Sequence, residues 1–192
     1  MKKYDERLLN IEESVGSISM GDLKQILFDD DYRPKWLDVT STIPAKDPKD
    51  VKYGLDYDTL VSFGKALLKH INQAKDYLLI ELSIPSEKYP NITHAVALGV
   101  DKIHKKFYFN NSYGIDLRKD IKDLILGIFP NYGWGYSENV QQCSDKKDNS
   151  CAVLTIYNLL DMLDRFQGNV GGGAELQFRT GKSRNVGTFE RY

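Results

Sequence analysis

The sequence predicts an α+β fold, with a central mixed or antiparallel sheet packed on one buried helix and helical material ahead of it. Two observations carry this. Apolar residues recur at helical spacing in the first third, change to short apolar runs between 77 and 112, and return to helical spacing near 120 and 150. The run 150-SCAVLTIYNLLDMLDRF-166 is the most apolar helical pattern in the chain, as expected of a helix surrounded by core. A content of 41% hydrophobic residues over 192 positions is enough to build that core.

Taken in order, residues 1–18 are charged and weakly periodic, a frayed lead-in. Residues 19–30 open with cap-type residues and carry Leu23, Ile26 and Leu27 at helical spacing; Asp29, Asp30 and Asp31 read as its solvated end. Residues 37–55 hold Pro44 and Pro48 among charged and turn residues and read as loop. Residues 57–75 form a second helix with Leu60, Phe63, Leu67, Leu68 and Ile71 on one face. Residues 77–85, 93–101 and 106–112 are short, apolar and aromatic, with Pro or Gly near their borders, and read as consecutive strands. The link 101-DKIHKK-106 is short enough for a hairpin. A helix over 116–128 uses Leu117, Ile121, Leu124 and Ile125, and an aromatic loop, 129–142, has room for one short strand. The apolar helix spans about 150–166. After Gly168 the chain has little to bury, apart from a short LQF strand. The expected division is one domain, 1–168, followed by a flexible tail, 169–192.

Opposite charges nearly cancel, to a net −1, so nucleic acid is not favoured as a partner. No apolar run approaches a membrane span, and the first residues lack a signal peptide's apolar segment, so a cytoplasmic monomer is expected. Two cysteines do not make a disulfide scaffold. A Cys143–Cys151 bridge remains the sharpest rival use of both thiols, and a cytosolic chain disfavours it. Cys143, Cys151 and His94 are too few and too scattered for zinc, and the glycines at 171–173 do not form a phosphate loop. No cofactor or metal is expected.

Of the three histidines, His70 lies on the polar side of a helix and His104 in a lysine-flanked turn; both read as surface residues. His94 instead begins a strand, where an imidazole can project into a cleft. The next strand ends at Asn110, Asn111 and Ser112, and antiparallel neighbours bring the start of one beside the end of the other. An Asn at 110 or 111 can then orient the ring as the third member of a triad does. Cys151 follows Asn149 and Ser150 at a helix start, where unpaired N–H groups and the helix dipole favour a thiolate. Gln141 or Gln142 could donate to a developing oxyanion. Among the aromatic residues of the loop, Trp134 is the candidate rim of a narrow channel.

This order of His, Asn, Gln and a Cys heading a helix resembles the ubiquitin-like protease superfamily of cysteine enzymes, the CE clan. The matching segments are 94-HAVALGVDKIHKKFYFNNSYG-114 and 141-QQCSDKKDNSCAVLTIYNLLDML-163, and the likeness covers about residues 77–163. It implies a thiol-dependent isopeptidase or protease acting on ubiquitin or a ubiquitin-like modifier. His94 would be its general base, Asn111 the orienter, Cys151 the nucleophile and Gln142 the oxyanion donor. Residues 1–76 would be a helical substrate-binding region and 77–168 the catalytic core. The pattern departs at Ala95, where the family has Trp, at Asn111 for Asp, at Ala152 for Gly, and in the SDKKDNS insertion between Gln142 and Cys151. An acetyltransferase of the YopJ type using the same triad, or an inactive modifier-binding module, are the alternatives. The departures lean towards a bacterial effector working in host cytoplasm.

Overall fold

The computed structural model describes residues 34–42, 57–85, 93–136 and 151–170. The helix expected over 19–30, Gln141, Gln142, Cys143, the capping pair Asn149–Ser150 and the tail after Val170 lie outside the described residues. Within them the fold is α+β: β1 (Leu37–Thr42), α1 (Tyr57–Gln73), β2 (Tyr77–Pro85), β3 (Thr93–Asp101), β4 (Lys106–Asn110), α2 (Lys119–Ile128), β5 (Gly133–Tyr136) and α3 (Cys151–Val170).

The strands form one mixed sheet in the order β1-β2-β3-β4-β5. β2, β3 and β4 are antiparallel neighbours, while β1 joins β2 and β5 joins β4 in parallel. β1 corrects the loop expected from residue 37 onward. Its alternation buries Leu37 and Val39, and both prolines that suggested a loop lie beyond its end. The strand is anchored at its start, where Tyr77 N–H donates to Trp36 O at 3.1 Å and Lys75 N–H to Asp38 Oδ2 at 2.7 Å.

Both faces of the sheet are covered, so the central strands are apolar in nearly every position instead of alternating. On one face Leu78, Ile80, Leu82, Val96, Leu98, Val100, Phe107 and Phe109 pack with Phe63, Leu67 and Ile71 of α1 and Ile121 and Ile125 of α2. Leu68, assigned to that face from spacing, is instead exposed. On the other face Leu37, Val39, Tyr77, Leu79, Ala97 and Tyr108 meet Ile156, Leu159, Met162, Leu163 and Phe166 of α3. Every residue from Leu154 to Leu163 is buried, as expected of the apolar helix, which also continues past Gly168 to Val170.

The β3–β4 hairpin is pinned from below. Asp101, fully buried, accepts the His104 N–H at 2.9 Å and lies 2.7 Å from His104 Nδ1. Asn169 Nδ2 donates to it from the end of α3 at 3.4 Å. Asp101→Asn keeps one acceptor but turns an NH₂ towards these donors. It is expected to cost about 1 kcal/mol, lowering Tm by roughly 2–4 °C in a thermal melt.

Candidate functional site

The candidate site lies at the end of the sheet where β3 begins. Register decides what meets there. Phe107 and Phe109 of β4 face α1 and α2, and so do Val96 and Leu98 of β3. His94 continues the parity of Val96, and Asn111 that of Phe109, so their side chains leave the sheet on the same face. His94 Nε2 lies 2.6 Å from Asn111 Oδ1, and the two residues are 2% and 1% exposed. Asn110 has the opposite parity and belongs to the α3 face.

The turn after β4 fixes the amide. Asn111 Oδ1 also accepts the Tyr113 N–H at 2.9 Å, an Asx turn closed by Gly114 N–H donating to Asn111 O at 2.9 Å. Gly114 has φ 72°, a conformation that favours glycine. Because a backbone N–H can only donate, the amide atom at this point is the carbonyl oxygen. His94 Nε2 is therefore the donor, and in a neutral ring Nδ1 carries the lone pair. That is the tautomer a general base needs. The same turn lays the Tyr113 ring over that of His94, with centroids 3.8 Å apart and planes 8° apart.

α3 delivers its first residue, Cys151, to the same end. Thr155 Oγ1 donates to Ala95 O at 2.9 Å, whereas Met162 and Phe166 lie against Gly99. Helix and strand therefore run in the same direction, and the helix head lies at the His94 end. Cys151 precedes Thr155 by about one turn, roughly 6 Å along the axis. The helix covers the face opposite to the parity of His94, so its head approaches His94 at the end of the sheet.

Buried polar side chains on β2 and α3 were missed by sequence reasoning. Glu81, Ser83, Thr155 and Asn158 are all buried, and Ser83 Oγ donates to Glu81 Oε1 at 2.9 Å. The signal was available: Glu81 and Asn158 interrupt otherwise apolar runs at inward-facing positions. Tyr113 was also missed.

Trp134 is set apart from this cluster. It pairs with Phe107 across β4–β5, packs on Phe107 and Phe109 with ring centroids 5.8 and 5.7 Å away, and is partly buried. Lys122 Nζ lies 5.3 Å from its ring centroid and donates to Asp116 Oδ2 at 2.7 Å. The bond to Asp116 holds the Lys122 ammonium above the usual lysine range, against the opposing effect of burial. Among the described residues, no group of three or more His, Cys, Asp or Glu is placed to hold a metal, and no helix is long and apolar enough to cross a membrane.

The arrangement is thus an α+β sheet with an oriented imidazole at one strand mouth and a cysteine-headed helix beside it. No family model matches the chain, and no curated protein matches it. Among solved structures it is similar to the Legionella pneumophila effector protein RavZ. One crystal structure of RavZ aligns with a TM-score of 0.36 and 12% identity over 79% of this chain and 45% of that one. Another aligns with a TM-score of 0.33 and 11% identity over 72% and 41%. The overlap is loose, and this chain spans less than half the length of either RavZ chain.

Proposed function

We propose that the chain is a thiol-dependent isopeptidase or protease that removes ubiquitin or a ubiquitin-like modifier. The observation that carries this reading is the buried His94–Asn111 contact of 2.6 Å beside the head of the helix that begins at Cys151. In this reading His94 Nδ1 takes the Cys151 proton, and the thiolate attacks the carbonyl carbon of the modifier's C-terminal glycine. Backbone N–H groups at the head of α3, with Gln142, hold the oxyanion. Collapse expels the amine, protonated by the His94 imidazolium, and leaves a thioester. His94 then deprotonates the water that hydrolyses it, which regenerates the thiol. Trp134 serves as a rim for the modifier's extended tail. The setting proposed is the cytoplasm of a host cell, with the chain acting as a bacterial effector.

A panel of ubiquitin and SUMO vinyl-sulfone probes tests the nucleophile, the chemistry and the modifier together. The wild-type chain is expected to form an adduct with at least one probe, and Cys151→Ala with none. Absence of any adduct, together with no cleavage of fluorogenic modifier substrates, overturns the reading.

A further inference from the structure

We infer that Tyr113 is a positioning residue that clamps the His94 imidazole at two points. The inference rests on the proposed role of His94 as general base. A hydrogen bond at Nε2 fixes one corner of the ring, and a parallel ring beside it fixes its plane. The Tyr113 ring supplies that second constraint, because it lies parallel to the imidazole at 3.8 Å and 8°. Its backbone N–H simultaneously holds the Asn111 oxygen that receives the Nε2 proton, at 2.9 Å. One residue therefore sets both the partner and the plane of the base.

Burial gives Tyr113 a second consequence. His94 and Asn111 are almost wholly enclosed, Tyr113 is only partly buried, and its ring covers one face of the imidazole. A parallel aromatic face also tolerates the positive charge that the ring acquires during the reaction. Ala95 follows His94 with a methyl group alone, so stacking cover comes from the turn after β4.

The full chain carrying Tyr113→Ala keeps the backbone N–H and loses only the ring, while Tyr113→Phe keeps the ring. Two readouts separate the cases. Proton–nitrogen NMR correlation of the imidazole is expected to show one protected Nε2–H tautomer in wild type and Tyr113→Phe. In Tyr113→Ala that signal should broaden or give mixed tautomers. Cys151 alkylation by iodoacetamide at neutral pH should fall roughly three- to tenfold in Tyr113→Ala, the range of an aromatic pair contact, and remain near wild type in Tyr113→Phe. An unchanged imidazole signal and alkylation rate in Tyr113→Ala overturn the inference. So does a Tyr113→Phe chain as impaired as Tyr113→Ala, which would assign the effect to the hydroxyl. A protected Nε2–H in a wild-type chain whose thiol reacts like free cysteine sinks the enzyme reading and leaves the clamp intact.

Discussion

Asn111→Ala is expected to lower kcat on a modifier substrate by about 10²- to 10⁴-fold, the range over which general acid–base assistance acts, with KM little changed. The split follows from burial. Asn111 is 1% exposed and spends its oxygen on His94 and Tyr113, so it has no surface to offer a substrate. Without that oxygen the neutral ring is free to place its proton on Nδ1, the tautomer that cannot accept from a thiol. Asn111→Asp separates orientation from charge, because a carboxylate accepts the same bonds and adds attraction for the imidazolium. The reactive form is a thiolate–imidazolium pair, which forms as pH rises through the thiol's titration and is lost as the imidazolium deprotonates. The imidazolium stands on both sides of the thiol's titration, so stabilising it acts on the alkaline limb, which moves to higher pH, and Asn111→Asp widens the bell on that side. Asn111→Ala narrows it. A pH–rate profile of kcat/KM reads both, and a bell of unchanged width in the two variants removes Asn111 from the proposed chemistry.

The choice between Asn110 and Asn111 shows how far the sequence could be read. It brings a histidine at one strand start to an asparagine at the next strand's end, because hairpin topology does so for any register. Deciding between adjacent residues needs the register itself, since a shift of one turns each side chain to the other face. The pairing Ala97↔Asn110 settles it, and the turn that follows brings Tyr113 over the ring. Neither follows from spacing alone. β1 was hidden for a different reason. It is a short edge strand followed by two prolines, and its parallel partner β2 lies far along the chain, so no hairpin signal marks it. The long helices were legible because apolar periodicity over several turns accumulates. Leu68 was misassigned where that periodicity overruns the width of the buried stripe. Glu81 and Asn158 were passed over because each is one polar residue in an apolar run, although an inward polar residue is where a run carries most information.

Gly99→Leu is expected to destabilise the fold by about 3 kcal/mol and lower Tm by roughly 6–12 °C. Gly99 lies on the α3 face of β3, in a run with Ala95 and Ala97 whose small side chains let the helix approach the strand. A Cβ at Gly99 would already stand 3.0 Å from Met162 Sδ and 3.0 Å from Phe166 Cζ. Gly99→Ala costs less than leucine: the Met162 side chain can yield a few tenths of an ångström, while the buried Phe166 ring resists. The further carbons of leucine have no such outlet, and α3 must move. Cys151 lies roughly 16 Å along the helix axis from Met162, so a small tilt at the contact becomes a larger displacement at the head. Iodoacetamide reactivity at a temperature where Gly99→Leu remains folded is thus expected to fall as well. Met162→Ala opens space at the same contact, so the double variant should be more stable than the two single losses predict. Strict additivity in that cycle, measured by denaturant melts, would show that α3 does not rest on Gly99 and would undo the argument that seats the helix head beside His94.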